Sequence, residues 1–327
     1  MTWLVTGGAG YIGAHVVKAM REAGSDVVVV DDLSTGRKER VDGAELVTGS
    51  ILDGDLVLET IRRHGVTGVV HIAAKKQVGE SVEQPLMYYR ENVEGMRVLL
   101  SAMRDAGVDR LVFSSSAAVY GMPDVDLVTE QTDLRPMSPY GESKVVGEWL
   151  AAAAARAYGM RAISLRYFNV AGAAAPELGD DFVLNLVPMT FERITSGERP
   201  RVFGADYPTP DGTCVRDYIH VADVASAHVS AARSLADAEP GHEVYNIGTG
   251  RGYSVREVVQ LVLDVTGASV EPEVVAPRPG DPARVVASAD RISAAFGWSS
   301  SYDLRDMITS AWEGWCLRHP EARELSA

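Results

Sequence analysis

A chain of 327 residues, 46% hydrophobic and 23% charged, can bury a sizeable core and suits one large α/β domain or two coupled ones. Its formal net charge of −14 disfavours nucleic acid and anionic membranes as partners, because both would repel most of the exterior; a local basic pocket for one phosphorylated small molecule stays compatible with it. Cys214 and Cys316 are too few for a disulfide framework and stand in no His/Cys cluster, so no metal is expected; with no leader-like start and no long apolar run, a cytoplasmic protein is expected.

Residues 2–6 are apolar or β-branched and run into Thr6-Gly7-Gly8-Ala9-Gly10-Tyr11-Ile12-Gly13, followed by a helix-compatible run from His15 to Ala23. This reads as strand, glycine-rich turn and helix. Gly8, Gly10 and Gly13 satisfy GxGxxG, and Gly7, Gly10 and Gly13 the wider GxxGxxG. Such glycines permit a tight turn and let helix N-terminal amides approach a pyrophosphate. Val27 to Val30 read as a buried parallel strand ending at Asp31, where an acid can hold adenosine ribose hydroxyls and repel a 2′-phosphate, so NAD is expected over NADP. Arg37 and Lys38, close in sequence, weigh against that preference, and a glycine turn in an unliganded α/β domain is the plainer alternative.

The alternation continues with strands at Ala44 to Thr48, Gly68 to Ile72, Arg110 to Ser114 and Arg161 to Arg166, and helices near Asp55 to His64, Leu86 to Ala106 and Tyr140 to Tyr158. Strands alternating with helices predict an α/β fold with a doubly wound, Rossmann-type parallel sheet and a ligand crevice at the strands' carboxyl ends. Gly7 to Gly13, Asp31, Ala73 to Gln77 and Ser114 to Ser116 all fall at that edge. Past Asn169 the chain is richer in loops and contains no lysine, so its positive charge comes from arginine, the better bidentate partner of phosphate. Strands at Arg216 to Val221 and Glu243 to Ile247, and helices at Ala222 to Ala236, Ser254 to Val265 and Leu304 to Leu317, complete the reading. The expected division is a dinucleotide domain over 1–170, with return segments within 217–250, and a smaller C-terminal α/β substrate domain over 171–327.

In the fourth predicted helix Tyr140 and Lys144 are four apart and share a face. A fixed cation favours phenolate, so on charge alone Lys144 is expected to pull Tyr140 below its ordinary pKa of about 10 and make it a base.

Together the stretches Thr6 to Gly13, Val78 to Pro85, Ser114 to Gly121, Ser138 to Lys144, Leu165 to Ala173, Asp206 to Val221, Tyr245 to Gly250 and Arg278 to Ala283 resemble the extended short-chain dehydrogenase/reductase family, and within it the UDP-hexose 4-epimerases. The resemblance runs nearly end to end. It implies a tightly held NAD and interconversion of UDP-glucose and UDP-galactose through a transient 4-keto sugar. Tyr140 is then base and acid, Lys144 lowers its pKa and holds the nicotinamide ribose, and Ser116 holds the reacting hydroxyl. Ser114 and Ser115 read as ordinary strand-end serines. Gly7, Gly10, Tyr11, Ile12, Gly13, Asp31, Ser50, Ile51, Lys76, Asn92 and Tyr167 are implied around the cofactor, with Lys76 also readable as a solvated surface lysine. Asn169, Asn185, Leu186, Phe203, Arg216, Arg278 and Asp281, with Ser116, are implied for the UDP-hexose. Phe203 could pack on uracil or belong to the core. The family also implies a homodimer through the helices at Leu86 to Ala106 and Tyr140 to Tyr158.

Three positions depart from the family's usual residues. Ser50 replaces an acid that contacts adenine, Ala118 replaces a threonine, and Val285 stands where some members carry a tyrosine lining the sugar pocket, so N-acetylated sugars become candidate substrates. Rival readings are another nucleotide-sugar epimerase, such as one acting on UDP-glucuronate, a 4,6-dehydratase or decarboxylase, a GDP-sugar epimerase/reductase, and a catalytically silent NAD sensor. Dehydration needs an added acid/base pair after the serine, where Ala117 and Ala118 offer no carboxyl.

Overall fold

The computed structural model describes residues 1–41, 43–278 and 280–326; Pro279, inside the Arg278 to Ala283 stretch, lies outside them. The first half contains strands β1 (Thr2–Thr6), β2 (Asp26–Asp31), β3 (Glu45–Thr48), β4 (Val66–His71), β5 (Arg110–Ser114) and β6 (Arg161–Tyr167). Between them lie helices α1 (Tyr11–Glu22), α2 (Gly54–Arg63), α3 (Val78–Glu83), α4 (Pro85–Tyr88), α5 (Gly95–Ala106) and α6 (Pro139–Tyr158). The second half adds short strands β7 (Asn169–Ala171), β8 (Arg201–Phe203), β9 (Val215–His220), β10 (Gly241–Ile247), β11 (Gly252–Ser254), β12 (Glu273–Val275) and β13 (Arg284–Val285). Its helices are α7 (Leu186–Thr195), α8 (Val221–Ser234), α9 (Val255–Thr266), α10 (Asp290–Phe296) and α11 (Leu304–Arg318).

The large sheet has the order β10-β6-β5-β4-β1-β2-β3 and is parallel throughout. Successive strand residues face opposite sides, so each apolar strand feeds two cores. Val5, Val29, Val70 and Val112 pack on one side with Ala227 and Ala231 of α8. Leu4, Val28, Val69 and Leu111 pack on the other with Met96, Leu99 and Met103 of α5. The chain turns from one direction of winding to the other between β1 and β4, opening a crevice at their carboxyl ends. Although it lies late in the chain, β10 pairs along its length with β6 and closes the sheet edge.

In the second half β9 carries β7, β11 and β13 in one four-stranded sheet, while β8 pairs with β12. Phe191, Trp312 and Trp315 anchor a separate core there with Val258 and Val262. Among the described residues, no helix is long and apolar enough to cross a membrane.

Two expectations need correction. The helix expected as one run from Leu86 to Ala106 is instead α4, a π-helical segment at Tyr89–Glu94, and α5. That wider turn buries Asn92, whose amide does work elsewhere, described below. Helix α1 begins at Tyr11 rather than His15, because Gly13, which hides its start from a propensity reading, belongs to its first turn.

Candidate active site

The crevice is lined by Gly7, Gly10, Tyr11, Ile12 and Gly13 from the turn after β1, Asp31 from the end of β2, Ser50 and Ile51 after β3, Ala73 to Gln77 after β4, Tyr140 and Lys144 on α6, and Tyr167 at the end of β6. Two glycines are required by the turn itself. Gly7 has φ +72°, and a Cβ on Gly13 would lie 2.0 Å from the Gly7 carbonyl oxygen, so this helix start can seat against the strand end only with glycine there. Gly10 caps α1 without a side-chain hydrogen bond, leaving first-turn amides available to an anion.

Asp31 is held by the turn it faces. Its Oδ2 accepts from Ala9 N at 2.9 Å and its Oδ1 from Leu33 N at 2.8 Å. Burial raises its pKa and these two amides oppose the rise. Arg37 is drawn to Asp181 instead of sitting as a free cation near Asp31, which removes its share of the sequence argument for a 2′-phosphate. Ser50 Oγ accepts from Leu52 N at 3.1 Å and keeps its own proton to donate.

Lys76 is exposed, yet it lines the crevice with its ammonium 5.7 Å from the centre of the Phe182 ring. Asn92 stands behind the crevice. Its Oδ1 accepts from Lys75 N at 2.8 Å, and its Nδ2 donates to the Lys75 carbonyl at 3.0 Å and to Ser143 Oγ at 2.9 Å. It therefore ties the loop after β4 to α6. Phe182 and Leu184 also line the crevice from the loop before α7, and no motif in the sequence signalled them.

Tyr140 and Lys144 sit on one buried face of α6, which Ser138 caps by accepting from Gly141 N at 3.2 Å. Ser116, two residues past the end of β5, accepts from Ala118 N at 3.2 Å and faces Tyr140 closely enough for its hydroxyl to lower the Tyr140 pKa. The expected depression of the Tyr140 pKa is not found: burial raises it, and the Ser116 hydroxyl opposes the rise. Lys144 is itself buried, its pKa lowered to about 7 by desolvation and supported by Glu148. Desolvation thus outweighs the charge effect on which the sequence expectation rested. Ser114 and Ser115 are more than strand-end serines: Ser114 Oγ lies 2.7 Å from His228 Nε2, and Ser115 Oγ donates to Glu148 Oε1 at 2.5 Å.

The residues implied for a nucleotide sugar lie off the lining of this crevice: Ser116 follows β5, and the others lie on the small sheets, at the start of α7 and in the segment between β12 and β13. Arg216 donates from Nη2 to Asp281 Oδ1 at 2.9 Å, so it is ion-paired as a rim arginine would be. Arg278 stacks on Phe203, its guanidinium carbon 3.9 Å from the ring centre, which occupies that face of an aromatic that is only half-buried. Asn169 opens β7 opposite Tyr218 of β9, two residues from Arg216. Asn185 caps α7 and donates to Asp180 Oδ2 at 3.2 Å, with Leu186 as the first helical residue. Val285 packs with Val119, Tyr120, Val128 and Phe168, with Ala117 against the same cluster.

The profile of the NAD dependent epimerase/dehydratase family matches residues 3–248. The UDP-glucose 4-epimerase of Streptomyces lividans is 47% identical over 98% of this chain and 97% of its own length. Among solved structures, UDP-glucose 4-epimerase from Brucella ovis in complex with NAD superposes with a TM-score of 0.92 at 42% identity, covering 96% of this chain and 98% of its own. The Bifidobacterium longum UDP-glucose 4-epimerase in complex with NAD+ and UDP gives 0.90 at 36% identity, covering 98% and 100%.

Proposed function

Because the chain belongs to the NAD-dependent epimerase/dehydratase family, we infer that it is a UDP-glucose 4-epimerase using NAD to interconvert UDP-glucose and UDP-galactose. One observation carries the reading: Tyr140, facing Ser116, shares a crevice with Lys144 and the Gly7 to Gly13 turn, and Ala117 and Ala118 follow Ser116 where dehydration would need a carboxyl.

The crevice fits the dinucleotide. Gly13 lets the start of α1 seat directly against the Gly7 carbonyl, first-turn amides of α1 have no capping side chain, and each Asp31 oxygen, accepting one amide, has a lone pair left for a ribose hydroxyl. NAD supplies a reversible two-electron acceptor, so that sugar C4 is oxidised to a ketone and reduced again on its other face.

The protein's own part is binding and proton movement. Tyr140 takes the proton of the sugar 4-hydroxyl and later returns it, and the Ser116 hydroxyl favours the phenolate form. Lys144 spends one N–H on the Ser114 carbonyl at 2.8 Å and has two more for the nicotinamide ribose. Lys76 and Tyr167 line the same crevice, and Asn92 fixes the loop carrying Lys76. Arg216 and Arg278 supply the positive charge a UDP diphosphate requires on a chain of net charge −14, with Asp281, Phe203, Asn169, Asn185 and Leu186 completing the nucleotide-sugar half. Residues 1–170 with the segments in 217–250 form the dinucleotide half.

Val285 is shorter than the tyrosine that some relatives carry at this position, which supports turnover of UDP-GlcNAc and UDP-GalNAc as well. Exposed Val82, Leu86 and Trp149 on α3, α4 and α6 support a homodimer through this face, and two free thiols suit the cytoplasm.

The test is protein purified without added cofactor and incubated separately with UDP-galactose, UDP-GalNAc and UDP-glucuronate, followed by proton NMR of the anomeric signals. UDP-glucose should appear from UDP-galactose. No epimer from any sugar overturns the reading, and inert UDP-GalNAc beside active UDP-galactose removes the wider substrate range.

A further inference from the structure

The serines at the end of β5 are held from different sides. Ser116 meets Tyr140, whereas Ser115 turns to Glu148, a residue one helical turn beyond Lys144 on the same face of α6. Glu148 is 3% exposed in an otherwise alanine-rich segment, and Arg166 of β6 grips it with both arms, Nε to Oε1 at 2.8 Å and Nη2 to Oε2 at 2.5 Å. Arg166 Nη1 also donates to the Tyr120 hydroxyl at 2.9 Å, which donates to Asn246 Oδ1 at 2.6 Å. The brace therefore reaches the far end of the short helical turn that starts at Ser116.

A buried ion pair contributes little net stability, because desolvating the two charges offsets most of their attraction. Here every oxygen and most donors of the pair are occupied, and the partners sit on the two elements, β6 and α6, that flank the serine segment. What the arrangement secures is position. Neighbouring Cα atoms are about 3.8 Å apart, so the residue tied to Glu148 cannot shift without carrying Ser116 with it.

We propose that Ser115 and Glu148 are positioning residues of the epimerase: braced by Arg166, they pin the end of β5 to α6 and keep the Ser116 hydroxyl on Tyr140. The inference rests on the function proposed above. Neither side chain touches the reacting sugar in this account; both act through Ser116.

The test is Ser115→Ala, which cuts the tie and leaves the Glu148 and Arg166 pair intact, with Ser115→Thr keeping the hydroxyl. Ser115→Ala should lower kcat for UDP-galactose by about tenfold or more, since displacements near 1 Å cost on the order of a hundredfold, while KM, bound NAD and melting temperature stay near wild type. Ser115→Thr should keep kcat within about threefold of wild type. Wild-type kcat in Ser115→Ala overturns the proposal, as does a parallel fall in kcat, NAD content and melting temperature, or an equal loss in folded Ser115→Thr. Inactive wild-type protein would instead count against the epimerase reading, so the two failures are distinguishable.

Discussion

Lys144 donates to the carbonyl of Ser114 at 2.8 Å while its nitrogen stays 5.9 Å from the centre of the Tyr140 ring. The ammonium thus supports the end of β5 as well as flanking the base. It does so at a desolvation cost that pushes its pKa from 10.5 to about 7.

That shift fixes the sign of a pH dependence. Between about pH 7 and 10.5 the unfolded chain binds a proton at Lys144 that the folded chain has released. The penalty on the folded state is full below about pH 7 and fades as pH rises toward 10.5, so this site makes stability increase with pH. Urea denaturation of wild type and Lys144→Met should show the difference in unfolding free energy moving in favour of wild type from about pH 7 to 9.5. A constant difference across that range would remove the shifted lysine.

Tyr140, raised by burial, should titrate above the ordinary tyrosine range in the free protein. The ultraviolet phenolate difference between wild type and Tyr140→Phe should appear only above about pH 10. The same variant should lose about 10²- to 10⁴-fold in kcat, the usual contribution of a positioned acid/base, while still retaining NAD. A phenolate signal near neutrality in the free protein would restore the charge argument made from sequence.

The alternation of strands and helices was legible because the central strands of the large sheet carry apolar runs long enough to show themselves, as in Val27 to Val30. Strands of two or three residues, such as β7 and β13, exist only because β9 is there to pair with them, and no local pattern announces them. The glycine turn and the Tyr140 and Lys144 spacing carried the centre of the site. Glu148 and Arg166 were illegible for a physical reason: charged residues in a helix and a strand look solvated until the fold places them face to face. The Tyr140 pKa failed for the same reason, since burial is a property of the fold and the charge spacing is not.

Asp181 shows another such hidden tie. It meets the guanidinium groups of Arg37, Arg40 at 2.9 Å and Arg318 at 2.8 Å, and Arg40 also donates to the Gly179 carbonyl at 2.5 Å. One carboxylate therefore joins the loop after β2, the end of α11 and the loop whose next residues, Phe182 and Leu184, line the crevice. Asp181→Asn would leave the buried Arg40 without its ionic partner, and breaking a buried pair in this way costs about 3 kcal/mol or more. The urea midpoint should fall with an unchanged slope, and bound NAD should be released more readily on gel filtration. A midpoint equal to wild type would mean that the three arginines find water or other acceptors at no loss.

The exposed face of α3, α4 and α6 supports the last prediction. Val78 and Val82 lie one turn apart on α3, while Leu86 on α4 is 81% exposed and Trp149 on α6 is 64% exposed. Exposed aliphatic side chains with an open indole are the composition of an interface core, where truncating a central aromatic commonly costs about 2 kcal/mol or more. Trp149→Asp and Leu86→Glu, separately and together, should shift the mass in sedimentation equilibrium from dimer toward monomer. Charge placed at the centre of the face has to be desolvated for the copies to associate, so the double variant should be the more dissociated. A wild-type protein that sediments as a monomer, or a double variant that stays dimeric, would move the association to another face.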